Sequence, residues 1–450
     1  RQRQDVYKRQ TEARTAAGLW QQGQGCSLTG LSGAAKTVFL AALDRLLPEQ
    51  GSLVFLLSGR DDIREYRRTL NCFYSDLLMQ ELYPVDLPLV QADSRNREIQ
   101  AGRVAAMRIL QGEERGIVFV TAEALLQKLP IPQKVLGSGV VVTLGQQLEQ
   151  QELLERLIEL GYERTTQVDA IGQFCLRGDI LDIFPINSQY PARIEWFDDT
   201  IDAMRSFDLD NQRSIESLSA VKIVPLQIES GEDFSASVLD YLAASTRLVV
   251  DEPSRLFEIL QKLYIESSGY ADELWSPAEL EGFCAQKRAW VVAALGHSRL
   301  QLFKDINVPV RSVAPYNRNL ELLTGDLQGW LADGQVPVVM MSSDIKARGL
   351  ADSLQSRNLN AAFVKEGALL RPGRITVISG ELTAGFRFWN ENWLLLTEND
   401  IFGMQKKRRL HTKNSGAQLQ YFSEIKAGDY VVHSAVSYTH LRAHETELHL

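Results

Sequence analysis

Long apolar runs, paired cysteines and an excess of basic charge are all missing from this sequence. No stretch approaches the roughly 18 to 20 consecutive apolar residues that a membrane-crossing helix needs, and the opening residues lack the charged, apolar, small-residue succession of a secretory signal. The expectation is a cytoplasmic protein without membrane contact. The four cysteines, Cys26, Cys72, Cys175 and Cys284, include no CxxC pair, and no histidine stands at metal-ligand spacing. A disulfide framework and a zinc site are therefore not expected, and the thiols read as small buried apolar groups. Lysine and arginine number 48 against 57 acidic residues, a net charge of -9. Such a chain lacks the basic footprint needed to wrap nucleic acid over much of its surface, so a protein partner is the better expectation.

A length of 450 residues is too great for one compact core and suggests roughly two to four domains. The apolar content of 45% and charged content of 23% are those of ordinary globular protein. Both ends fit no neighbouring pattern. Asp5 to Gln10 can be encoded by GATGTGTATAAGAGACAG, and Val436 to His440 by GTCTCTTATACACAT, which belongs to the complementary strand. Ends read from opposite strands of one short DNA element are expected to be adapter artefacts. We accordingly set 1-10 and 435-450 aside, and expect a natural protein that continues beyond Ser434.

Between these ends the chain alternates apolar strands with amphipathic helices: LVFLL at Leu53 to Leu57, a helical stretch from Asp61 to Leu78, and GIVFV at Gly116 to Val120 followed by TAEALLQKL. Short, fully apolar strands between helices imply a parallel sheet covered on both faces. Residues 11-130 are thus the first part of an α/β domain. Beyond Pro130 the pattern changes to VVVT at Val140 to Thr143, a helix from about Gln147 to Leu160, and strands with tight turns, an α+β insertion over 131-225. The segment 226-313 returns to the first domain, with Leu248 to Val250 as a strand of its sheet. A further small α/β domain is expected at 314-403, a polar, basic linker at 404-425, and the start of another domain at 426-434.

The stretch GLSGAAKT, Gly30 to Thr37, has most of a phosphate-binding loop. Such loops need glycines so that backbone N-H groups can curl around phosphates, with lysine supplying charge and a hydroxyl reaching magnesium. Gly30, Gly33, Lys36 and Thr37 are in place, but Ala35 stands where the pattern wants glycine, and a side chain there obstructs close approach and positive φ. VVDE at Val249 to Glu252 resembles the acidic strand end that holds magnesium in such enzymes. The plain alternative is a strand-to-helix turn and an exposed carboxylate pair, without hydrolysis.

In ARIEWFDD the strand period of two puts Arg193, Glu195 and Phe197 on one face, with Ile194 and Trp196 on the other. If Ile194 and Trp196 are inside, Phe197 is an outward aromatic beside Arg193, the composition of an interface hot spot; Arg177, before the Gly178 turn, could join them. An ordinary solvated strand face is the competing reading. Asp198 and Asp199 read as a turn rather than a catalytic pair, and the run Lys406 to Arg409 as a solvated linker rather than a DNA contact. The tripeptide Arg177-Gly178-Asp179 carries no adhesion meaning in a chain without an export signal.

GYERTTQV, GQFCLRGDILDIFP and ARIEWFDDTIDAMRSFD, with the following NQRS, resemble the module shared by the excision-repair protein UvrB and the bacterial transcription-repair coupling factor. The loop bearing Ala35, and ENDIFG followed by a basic linker and IKAGDYVVH, are more similar to the coupling factor. The likeness runs from about Thr29 to His433 and is strongest from Gly161 to Asp208. It implies a UvrB-like fold, a parallel-sheet P-loop-like domain with an inserted α+β module. It further implies that the module binds the damage-recognition ATPase UvrA through Arg177, Arg193 and Phe197, and packs against the motor of the full protein when idle. The family's ATP- and magnesium-dependent DNA translocase, and the domain that binds RNA polymerase, would follow beyond the present chain. For this portion the resemblance implies no catalytic residue, metal or cofactor. An active ATP-dependent DNA-processing protein related to UvrB is the alternative.

Overall fold

A computed structural model describes residues 11-403 apart from 49, 76, 85-96, 133-138, 189, 210, 227-233, 295-299, 301-303, 366-369 and 390. The expected linker, the start of a further domain and both terminal extensions lie outside the described residues.

Seven strands form an all-parallel sheet in the order Asp305–Asn307, Cys26–Thr29, Ala289–Ala293, Arg247–Asp251, Leu53–Leu57, Gly116–Thr121 and Leu78–Leu82. Leu53–Leu57, Gly116–Thr121, Arg247–Asp251 and Ala289–Ala293 are buried at every position, because helices cover both faces. Each large apolar side chain so buried contributes about 2 kcal/mol from removal of its surface from water. The helix Arg60–Asn71 turns Ile63, Tyr66, Thr69 and Leu70 inward, a helical spacing that leaves Arg64 and Arg68 on the outer side. It stops well short of Leu78, contrary to the sequence reading. The amides of Phe73 and Tyr74 close on the Leu70 carbonyl, and Leu78–Leu82 is an edge strand whose first three residues are not buried, so its apolar pattern is weak.

The inserted module begins and ends as one antiparallel pair, Val140–Thr143 with Ala220–Ile223, which brings its entry and exit together. Between them lie the helix Gln150–Glu159, shorter at its start than expected, and a six-stranded sheet ordered Ser214–Ser217, Thr200–Phe207, Ala192–Phe197, Ile180–Ile183, Gln173–Arg177 and Glu163–Arg164. Two-residue turns at Gly178-Asp179 and Asp198-Asp199 join its central strands. Gly178 and Asp198 take φ of 59° and 56°, the left-handed geometry that matches the twist of a tight hairpin.

A second sheet of six strands is mixed: Val310–Ser312, Phe386–Phe388, Trp393–Thr397, Val336–Met341, Ile375–Ser379 and Ala361–Phe363. Its first strand lies upstream of the boundary read at 314. The segment VRS is short, half polar and paired along one side only, so no sequence period marks it. One face of this sheet shares a core with the first domain, where the Phe39 and Phe388 rings lie 6.3 Å apart. The other face closes on the helices Leu320–Ala332 and Asp344–Gln355 through Leu323, Leu327, Ala347 and Leu350. None of the described helices is long and apolar enough to cross a membrane.

Candidate functional site

Because the first sheet is parallel, the ends of Cys26–Thr29 and Arg247–Asp251 point the same way, and the segments that follow them meet at one edge. After Gly30 and Gly33, at φ of 83° and 54°, the chain enters the helix Ala34–Leu46. Ala35 is already helical and fully buried in the core, and it is not among the positive-φ residues. Ala35 thus takes helical backbone rather than the positive φ that glycine would allow, and its methyl packs into the domain interior. Thr37 is buried as well.

Lys36 is committed elsewhere. Its Nζ donates to Asp251 Oδ1 at 2.8 Å and to Glu252 Oε1 at 2.9 Å. Tyr66 donates its hydroxyl to the same Asp251 oxygen at 2.9 Å, and the Ala294 N-H donates to Glu252 Oε1 at 3.0 Å. Burial alone would depress the Lys36 ammonium, but attraction to Asp251 and Glu252 outweighs it and holds the group above its ordinary value. Burial raises the Asp251 carboxyl despite Lys36 and Tyr66. The Tyr66 phenol lies well above its usual range through burial and the neighbouring Asp251. The adjoining cleft is about 640 Å³, and among the described residues it is lined by five carboxylates, Asp62, Glu65, Asp251, Glu252 and Glu258, with the cations Lys36 and Arg255. Tyr66 and the Ala294 amide escaped the sequence reading, since neither belongs to the loop pattern.

On the module, cross-strand pairing decides which residues share a face. Asp182 stands opposite both Cys175 and Arg193, and Arg193 opposite Arg205; Arg177 stands opposite Ile180, and Ile180 opposite Glu195. Arg177, Arg193 and Phe197 therefore lie on one face of the sheet. Ile194 and Trp196 fill the other, where Trp196 Nε1 donates to the Leu148 carbonyl at 2.8 Å. Phe197 is 77% exposed and Ile180 39%, and the pairing makes them diagonal neighbours, a relation that brings side chains within reach across strands.

The three candidates are not equivalent. Arg177 is exposed, with Nε directed at Cys175 Sγ, 3.3 Å away. Arg193 is half-buried: Nε and Nη2 donate to Asp182 Oδ1 and Oδ2 at 2.6 and 2.9 Å, and the guanidinium lies 4.7 Å from the centre of the buried Phe207 ring. The hydrogen bonds that Arg193 donates to Asp182 raise its pKa further against the opposing effect of burial. Arg193 and Phe197 share a face, but Arg193 is aimed into the sheet's covered end rather than at the aromatic. Asp182 and Ile180 were not found from the sequence because the strand register that places them is tertiary information.

Cys26 and Cys284 are buried thiols pushed up to about 12 by desolvation, which leaves them protonated and inert at neutral pH. Cys175 is buried too, whereas Cys72 is only half-buried, against expectation.

Fold and surface together define a multidomain α/β protein with an inserted, largely antiparallel module that displays an exposed arginine and phenylalanine. Residues 140–228 match the UvrB interaction domain family. The chain is 26% identical, over 90% of its length, to a transcription-repair-coupling factor of Bacillus subtilis, and 22% identical over 91% to one of Staphylococcus haemolyticus. Each match covers 41% of the relative, so the chain spans about two fifths of the length of these curated relatives. A solved DEAD box protein of Methanococcus jannaschii aligns over 82% of this chain and 73% of its own at 9% identity, with a TM-score of 0.28 that carries no weight for the fold.

Proposed function

We propose that this chain is the N-terminal, UvrB-like portion of a transcription-repair coupling factor, and that its module recruits UvrA to RNA polymerase stalled at a DNA lesion. The observation that carries this reading is the placement of Arg177, Arg193 and Phe197 on one sheet face, with Arg177 and Phe197 exposed, within the matched residues 140–228. An exposed aromatic flanked by arginine can bury apolar area and make charge-assisted hydrogen bonds at once, the usual make-up of an interface anchor. RNA polymerase, double-stranded DNA, and ATP with magnesium belong, on this proposal, to domains that follow the chain. The module's contact with the motor in the idle protein belongs to the same proposal. This portion hydrolyses no nucleotide itself, a reading supported by the commitment of Lys36 to two carboxylates.

Calorimetry with purified UvrA tests the proposal, comparing the folded chain with Arg177→Ala, Arg193→Ala and Phe197→Ala. At least one substitution should cost over about 2 kcal/mol of binding. Equal affinity in all four removes this face as the site. Magnesium-dependent ATP turnover that vanishes in Lys36→Ala would instead favour an active enzyme related to UvrB.

A further inference from the structure

A nucleotide at a phosphate-binding loop sets its phosphates against the loop lysine and nearby backbone N-H groups. The residues of this chain do not fit that ligand. The Lys36 ammonium and the Ala294 N-H converge on one oxygen of Glu252 at 2.9 and 3.0 Å. Glu252 follows the strand end in the left-handed conformation, φ 43° and ψ 62°, and its own N-H is fixed to the Val292 carbonyl at 2.8 Å. A non-glycine residue adopts that backbone only where its surroundings over-determine it, and here the two donors and the Val292 carbonyl do so. Asp251, held by Tyr66, accepts a further hydrogen bond from the Lys36 ammonium.

We infer that Glu252 is the resident anion of this loop: its carboxylate holds the position a phosphate would require and excludes nucleoside phosphates from the cleft. The remaining cleft carboxylates reinforce the exclusion, because like charges in a partly desolvated space repel strongly. This inference goes beyond the recruitment reading and does not depend on it. On this inference the residue that keeps nucleotide out is Glu252, 216 positions away in the chain from Lys36, rather than Ala35.

The experiment is titration of a fluorescent ADP analogue with magnesium into the full chain, followed by anisotropy. The wild type is compared with Glu252→Gly, which removes the carboxylate and relieves the backbone, with Glu252→Gln, which keeps the shape without the charge, and with Lys36→Ala combined with Glu252→Gly. Near-ultraviolet circular dichroism confirms that each is folded. The expected result is binding at least about tenfold tighter in both single variants than in wild type, a gain abolished in the double variant. Wild-type binding as tight as that of the variants overturns the inference. So do folded single variants that bind no better than wild type, and a gain that survives the loss of Lys36.

Discussion

Asp182 and Arg193 face each other across adjacent antiparallel strands and are joined by two hydrogen bonds of 2.6 and 2.9 Å. The Arg193 side chain is 22% exposed and that of Asp182 6%, so the pair is largely shielded from solvent and its geometry is fixed from below. An arginine held by such a fork loses less side-chain freedom when a partner docks than a free one does.

Removing the carboxylate should therefore be felt twice. Asp182→Ala leaves a half-buried guanidinium with only its longer contact to Gln212 Oε1 at 3.4 Å, and we expect a loss of about 1–3 kcal/mol in stability, below the full cost of breaking a completely buried pair. Urea unfolding followed by circular dichroism measures it. On the recruitment proposal UvrA affinity should fall as well, and a double-mutant cycle with Arg193→Ala should show strong coupling between the two sites.

Phe197 should behave in the opposite manner. With 77% of its surface exposed, Phe197→Ala is expected to change stability by no more than about 0.5 kcal/mol, while UvrA binding weakens by over about tenfold. Thermal unfolding and calorimetry on one preparation separate the two effects. Unchanged affinity would show that the aromatic is an ordinary solvated residue.

The glycines of the loop are expected to divide by cause. A Cβ at Gly30 would stand 2.8 Å from Asn307 Oδ1 and 2.9 Å from the Val308 carbonyl oxygen, at a φ of 83°. Gly30→Ala should thus destabilise the chain by about 1–3 kcal/mol, seen as a lower melting temperature. At Gly33 the nearest atom is Glu65 Oε1 at 4.0 Å, so Gly33→Ala meets no clash, only the strain of φ 54° with ψ -143°, and should cost about 1–3 kcal/mol. A larger loss at Gly33 than at Gly30, where clash adds to strain, would contradict this division.

Acid should loosen the junction between module and first domain. Burial pulls the Glu113 carboxyl upward, but hydrogen bonds from Lys222 of the module and from Arg108 outweigh it and hold it below its usual range. A folded pKa lowered in this way adds stability that is present above the unfolded value of about 4.3 and is lost as pH falls through the folded one. We expect wild type to melt above Glu113→Gln at about pH 6, and the gap to close as the pH falls to about 3, in scanning calorimetry. A gap independent of pH would show that the charge is not involved.

Much of this protein is legible along the chain. Runs such as Leu53–Leu57 and Gly116–Thr121 declare strands buried on both faces, since only a covered parallel sheet can hide every side chain of a strand. The alternation in ARIEWF separates Ile194 and Trp196 from Phe197 because side chains of an extended chain point to opposite faces in turn. Both are local properties of the backbone. What residues distant in sequence do to each other was decided by tertiary structure alone. Pairing register brought Asp182 beneath Arg193. A sheet edge outside the apolar pattern took Val310–Ser312 into the second sheet. The parallel sheet carried Glu252 to Lys36 across 216 positions and turned a near-complete phosphate loop into an internal ion pair. A loop pattern records which side chains are available, but their partners depend on which strand ends the fold brings side by side.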